Sequence, residues 1–158
     1  MKLIIAADPN GGIGYQNRLP WTNIQGDLPR FKHLTGNKTV IMGRNTWDSL
    51  PKKPLPNRIN IVVSSRPLEE EHHNVIRASD MSFNRPDDVE FWLIGGAKLI
   101  ESCWDLIDEI HLTKVHDHYT CDTFVDLLSI EANFDQTYSE MLPDHEYQIW
   151  KRQQQCMT

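Results

Sequence analysis

The chain has 158 residues and carries 16 Lys and Arg against 22 Asp and Glu, a net charge of −6 that argues against a nonspecific nucleic-acid or membrane-surface binder. A hydrophobic fraction of 39% with no membrane-spanning apolar run predicts one domain, residues 1–158, with its own core and a tail fraying over 153–158. Three cysteines without CxxC spacing (Cys103, Cys121, Cys156) and a first apolar stretch too short for a signal peptide's apolar core predict a soluble protein of a reducing, cytoplasmic compartment.

Short apolar runs separated by Gly, Pro and Asn alternate with stretches of helical character, the rhythm of an α/β sheet. Strands are expected near 2–7, 38–43, 59–64, 74–78, 89–95, 109–116, 133–141 and 145–151, with helices near 27–35, 45–50 and 97–107. The runs Thr39-Val40-Ile41-Met42, Ile59-Asn60-Ile61-Val62-Val63 and Phe91-Trp92-Leu93-Ile94 suit strands covered on both faces. His145-Glu146-Tyr147-Gln148-Ile149-Trp150 alternates, which predicts an antiparallel strand with one wet face.

After the first strand, Gly11-Gly12-Ile13-Gly14 leads to Leu19-Pro20-Trp21. This is either a ligand-covering loop that closes with Leu19 and Trp21 or an ordinary Gly/Pro connection; it is not the GxGxxG fingerprint, and no GxxxxGK[ST] occurs. Asp27 is one of three acids before residue 67, and it shares a helix face with Phe31 and Leu34. It reads either as a helix cap ahead of Pro29 or as a desolvated carboxylate for an amidine-like group. Met42-Gly43-Arg44-Asn45-Thr46, Val63-Ser64-Ser65-Arg66 and Ile94-Gly95-Gly96-Ala97-Lys98 each join a strand end to anion-binding chemistry. Three such ends suit a phosphorylated dinucleotide. His116-Asp117-His118 with Cys121 matches no standard metal spacing, so no metal site is expected.

The charge is unevenly distributed. Residues 1–66 carry ten Lys and Arg against Asp8, Asp27 and Asp48, whereas residues 67–158 carry six against nineteen acids. Between residues 44 and 66, Arg44, Lys52, Lys53, Arg58 and Arg66 face Asp48 alone, which predicts a locally positive cleft on an acidic protein.

In order along the chain, these motifs resemble the bacterial, single-chain dihydrofolate reductases. The resemblance runs through Ile13-Gly14, Leu19-Pro20-Trp21, Asp27-Leu28, Phe31-Lys32, Val40 to Arg44, Thr46-Trp47, Ser49-Leu50, Pro54 to Arg58, Val63 to Arg66, Ile94-Gly95-Gly96, Leu112-Thr113 and Asp122-Thr123-Phe124. It implies an α/β, eight-stranded, mostly parallel mixed sheet with an antiparallel C-terminal hairpin, flanked by about four helices. It also implies NADPH-dependent reduction of 7,8-dihydrofolate to tetrahydrofolate, feeding one-carbon and thymidylate metabolism, by a monomer that binds antifolates and neither nucleic acid nor membrane.

The same resemblance selects the carboxylate reading of Asp27, with Thr113 supporting it and Leu19 and Trp21 gating a proton-delivering water. It places the substrate among Ile4, Ile5, Ala6, Leu28, Phe31, Leu50, Leu55, Ile94 and Ile100, with Arg58 on its glutamate carboxylate and Lys32 nearby. The nicotinamide falls near Ala6, Ile13, Gly14 and Thr46, the 2′-phosphate near Arg44, Ser65 and Arg66, and the pyrophosphate near Gly96, Ala97, Lys98 and Leu99. Asn17, Leu19, Gly43, Asn45, Ser49, Val63, Ser64, Ile94, Gly95 and Thr123 complete the cofactor set. Ile100 stands where many relatives carry an aromatic residue, and residues 22–26 and Lys52-Lys53 look like insertions. A reductase of another pterin or of a pyrimidine, and a non-catalytic binding protein on the same fold, remain open alternatives.

Overall fold

In a computed structural model of the chain, which describes residues 1–22 and 24–154, the most apolar runs become the middle of one sheet. Its strands are β1 (Lys2–Ala7), β3 (Thr39–Gly43), β4 (Ile59–Val63), β5 (Val75–Ala78), β6 (Phe91–Gly95), β7 (Glu109–Val115), β9 (Phe134–Met141) and β10 (His145–Arg152), with a separate ribbon formed by β2 (Gly12–Gly14) and β8 (Thr123–Phe124). The order is β5-β4-β3-β6-β1-β7-β10-β9, parallel from β5 to β7 and antiparallel for β10 and β9. The expected mixed sheet with its C-terminal hairpin is therefore present.

Strand alternation divides the core into two layers. Leu3, Ile5, Ala7, Ile41, Ile61, Leu93, Ile110 and Leu112 point to one side, where α3 (Ala97–Ser102) and α4 (Leu127–Asn133) supply Ile100 and Ile130. Val40, Met42, Val62 and Trp92 point to the other, where α1 (Asp27–Thr35) supplies Leu34 and α2 (Arg44–Ser49) supplies Trp47. Trp92, Trp47 and Trp21 are buried packing residues, and no described helix is long and apolar enough to cross a membrane.

Three expectations need correction. The helix expected over 97–107 stops at Ser102; Cys103 leaves helical geometry and a single tight turn, Trp104–Leu106, follows, leaving Leu106 exposed. The strand at 145–151 does not keep a wet face, because both sides are covered: Arg30 of α1 packs on His145 and Tyr147, Trp150 on the opposite face packs against the layer under α3 and α4, and the exposed positions gather on the edge strand β9. The elements β2, β8 and α4 were not legible in the pattern. The first two are two or three residues long, and α4 is started by Asp126, whose carboxylate accepts from Leu128 N at 3.0 Å and Ser129 N at 3.3 Å. Of the expected fraying tail, Gln153 is tied back by a backbone bond to Asn133 O at 3.0 Å, and residues 155–158 lie outside the described residues.

Candidate active site

A carboxylate links α1 to the sheet. Asp27 is the first helical residue of α1, and Gly26, not Asp27, is the cap; no side chain caps this helix. The capping reading thus fails for a geometric reason. The carboxylate instead turns to the sheet, where Thr113 Oγ1 donates to Asp27 Oδ1 at 2.6 Å. Thr113 lies on β7 opposite Ala6 of β1, so alternation brings Ile4, Ala6 and Thr113 to the same face. Ile4, Ile94, Leu50 and Leu55 pack half-buried against the core layer under α1 and α2. Phe31 is half-buried and Leu28 is 60% exposed, an apolar side chain presented to solvent beside the carboxylate. Ile5 and Ile100, by contrast, point into the layer under α3 and α4, so their side chains are not part of this wall.

Arg58 lies at the other end of α1, against Thr35. It is 7% exposed, its Nη1 donates to Thr35 Oγ1 at 3.0 Å and its Nε to Pro56 O at 2.9 Å. Burial lowers its pKa from the ordinary arginine value, yet a guanidinium keeps its proton at neutral pH. Its guanidinium lies 5.8 Å from the Phe31 ring centroid, and Lys32 is exposed one residue beyond. The 55–58 turn that presents Arg58 is clamped by the buried Asn60 amide, which accepts from Leu55 N at 3.0 Å and donates to Leu55 O at 3.0 Å and Arg58 O at 3.2 Å. Asn60 was not singled out from sequence; a polar residue within an otherwise apolar strand run was the available signal.

The three strand ends expected to bind phosphate are spatial neighbours, because β4, β3 and β6 are adjacent and parallel. Ligands of open α/β sheets bind at such carboxyl ends, where the connections change direction; here the chain runs outward from β3 to β5 and returns with β6 between β3 and β1. At β6, Gly95 has φ +138°, and a Cβ there would sit 3.0 Å from Thr46 Oγ1, so only glycine permits this close approach. Gly43, Thr46, Gly95 and Gly96 form one narrow backbone cradle. Ala97 and Leu99 are half-buried behind it, and Lys98 and Asn45 are exposed.

At the β3 and β4 ends, Arg44 Nη1 donates to Pro67 O at 3.2 Å and lies 3.5 Å from Ser64 Oγ, while Nε donates to Asp48 Oδ1 at 3.2 Å. Ser64 Oγ spends its bonds within its own turn, donating to Arg66 O at 3.1 Å and accepting from Arg66 N at 3.2 Å. Ser65 and Arg66 are exposed beside it and Val63 is half-buried beneath. Ser49 Oγ likewise bonds its own helix, at Thr46 O, at 2.8 Å. Arg66 and the Ser65 hydroxyl are exposed, with Arg44 beside them paired to Asp48 and Pro67 O; two guanidiniums and a hydroxyl fit a phosphate monoester, and the glycine cradle fits a pyrophosphate.

The loop from β1 to α1 closes the other side. Asp8, 1% exposed, accepts from Asn10 N at 2.9 Å and Gly12 N at 2.8 Å through one oxygen and from Tyr119 N at 3.1 Å through the other. A Cβ at Gly12 would run into Cys121 Sγ. Farther along, Gln16 N donates to Asp122 Oδ2 at 2.9 Å, Gly14 pairs with Thr123, Ile13 is half-buried, and Asn17 and Leu19 are exposed at the tip. Trp21 is 6% exposed against the edge of Tyr119, and its indole Nε1 is buried with no protein acceptor among the described residues. A buried donor without a partner is costly, and this N–H is available to a water or ligand. Of the expected insertion at 22–26, Asn23 lies outside the described residues. His116 and His118 diverge, one to Met141 Sδ at 3.2 Å and the other to Asn10 Nδ2 at 3.3 Å.

A family model described as dihydrofolate reductase matches residues 1–154. The chain is 36% identical to the dihydrofolate reductase type 8 of Escherichia coli, an alignment that covers 98% of this chain and 96% of that protein. It is 40% identical to the dihydrofolate reductase of Buchnera aphidicola over 73% of this chain and 71% of that one. It is also 37% identical to a bifunctional dihydrofolate reductase-thymidylate synthase of Paramecium tetraurelia, of whose length the chain spans 33%. Matched by the family model over residues 1–154 and 36% identical to a dihydrofolate reductase along 98% of its own length, the chain belongs to the dihydrofolate reductase family.

Proposed function

We propose that the chain catalyses the NADPH-dependent reduction of 7,8-dihydrofolate to tetrahydrofolate. The observation that carries this reading is the Asp27–Thr113 contact at the start of α1, with Arg58 held against Thr35 at the end of the same helix. A carboxylate whose Oδ1 already accepts from Thr113 presents its second oxygen to a ligand bearing adjacent amino and ring N–H donors. Ile4, Ala6, Phe31, Leu50, Leu55 and Ile94 sandwich the flat rings, and Arg58 pairs with a carboxylate at the distal end.

The cofactor fits the strand ends: Arg44, Ser65 and Arg66 would hold the 2′-phosphate, Gly43, Gly95, Gly96 and Ala97 the pyrophosphate, and Ala6, Ile13, Gly14 and Thr46 the nicotinamide. Bound there, NADPH supplies a hydride to pterin C6. Asp27 holds the pterin edge and polarises the ring, so that N5 gains its proton from water rather than from Asp27 itself. Trp21 Nε1, a buried donor, positions that water, and Leu19 at the loop tip excludes bulk solvent. The same cleft takes antifolates. The free thiols of Cys103 and Cys121 suit the cytoplasm.

The test is NADPH oxidation by the purified protein with and without 7,8-dihydrofolate, repeated with an antifolate. Oxidation that needs dihydrofolate and stops with the inhibitor supports the reading. Tight NADPH binding without turnover would leave a binding protein on the same fold.

A further inference from the structure

Asp27 does not stand alone at the head of the cleft. Arg30, one helical turn later on α1, brings Nη1 to 3.9 Å from Asp27 Oδ1, with side chains 16% and 27% exposed. The guanidinium is held in place by β10: its carbon lies 4.2 Å from the Tyr147 ring centroid, and Nη1 lies 3.2 Å from His145 Nε2. His145 is fully buried, and its Nδ1 lies 2.7 Å from Asp144 Oδ1. Nδ1–H donates to the Asp144 carboxylate, which leaves Nε2 to accept from Arg30. Asp144 is itself fixed by Gln25 N at 2.9 Å, and the Tyr147 hydroxyl by His111 Nδ1 at 2.6 Å. Arg30 cannot swing into solvent without losing a stacked ring and a hydrogen bond together.

A carboxylate with a fixed guanidinium beside it is close to a net-neutral pair. It still accepts hydrogen bonds from the N–H groups of a neutral ring, because those depend on the local lone pairs. A ligand that arrives as a cation gains little net attraction and meets Arg30 as a like charge. We propose that Arg30 is a specificity-determining residue of the pterin subsite, favouring a neutral 2-amino-4-oxo ring over a ring-protonated 2,4-diamino ring. This rests on the placement of the pterin at Asp27 proposed above.

The experiment measures, on the full chain, dissociation constants for two matched probes: 2-amino-4-oxopteridine, which stays neutral, and 2,4-diaminopteridine, which pairs with a carboxylate in its ring-protonated form. Removing one like charge at this range in a partly screened site predicts that Arg30→Met and Arg30→Gln each tighten the diamino probe about tenfold relative to the neutral one. Arg30→Lys keeps the charge and should leave the ratio near that of the parent. The ratio change should shrink at high ionic strength. Equal changes for both probes in Arg30→Met and Arg30→Gln, or none, would overturn the proposal while leaving the Asp27 reading standing. Asp27→Asn separates the two ideas: if it leaves both probes bound as before, the pterin does not sit at Asp27 and both readings fall.

Discussion

Replacing Asp27 by asparagine exchanges one carboxylate oxygen for an amide NH2 and tests the central contact. The asparagine side chain would keep an oxygen that can accept from Thr113 Oγ1, a bond of 2.6 Å in the parent, and that choice turns its NH2 toward the ligand. The side chain then meets the pterin's N–H donors with a donor. Two charge-assisted hydrogen bonds are lost, each worth about 1.5–3 kcal/mol, so about 3–6 kcal/mol of transition-state binding disappears. That corresponds to a fall of roughly 10²–10⁴ in kcat/KM at neutral pH. The assay is steady-state NADPH oxidation across pH, with far-UV circular dichroism to show that the variant folds. Activity should recover in part at low pH, where the substrate already carries the N5 proton and needs less polarisation. A variant within about threefold of the parent at neutral pH would refute the role assigned to Asp27.

Further outcomes follow from the other parts of the site. Arg44→Ala combined with Arg66→Ala removes both guanidiniums at the β3 and β4 ends; the kcat/KM preference for NADPH over NADH should fall at least about tenfold, and an unchanged preference would place the 2′-phosphate elsewhere. Gly95→Ala forces a Cβ to 3.0 Å from Thr46 Oγ1 at φ +138°, so thermal unfolding should show about 1–3 kcal/mol of destabilisation, together with weaker NADPH binding; a variant as stable as the parent would contradict the cradle. At Glu90, burial pushes the carboxyl up, but Lys38 at 2.7 Å and Lys2 at 2.9 Å outweigh it and hold the pKa at about 2, below its ordinary 4.5. A depressed pKa stabilises the fold above the unfolded-state value and is lost as pH falls toward the folded one. Glu90→Gln should therefore lose about 1 kcal/mol at neutral pH in urea unfolding, after allowing for solvent screening, with the gap closing as pH falls from about 4.5 toward 2.

Much of the sheet was readable from local pattern. Runs such as 39–43, 59–63 and 91–95 contain enough consecutive apolar residues to require cover on both faces, and all three lie in the sheet interior. The arginines and glycines at their ends could be named because each motif occupies a few consecutive residues. Where the pattern misled, the cause was non-local. The alternation of residues 145–150 suggests a wet face, but Arg30 of α1 covers one side and the core layer against Trp150 the other, and Leu106 matches a helical period that ends at Cys103.

The functional readings divide in the same way. Local spacing, charge and glycine content determined that this chain builds an α/β sheet with arginines, hydroxyls and glycines at its strand ends, since those properties act over one or two turns of backbone. They left Asp27 poised between a cap and a ligand carboxylate, because the deciding partner, Thr113, lies 86 residues away and reaches it only through the β1–β7 register. Arg30 and His145 are 115 residues apart, and nothing local to either reports the other. The packing of α1 over the neighbouring strands β7 and β10 brings these groups within hydrogen-bonding range. Pair interactions fall off over a few ångströms of space, and sequence separation does not measure that distance.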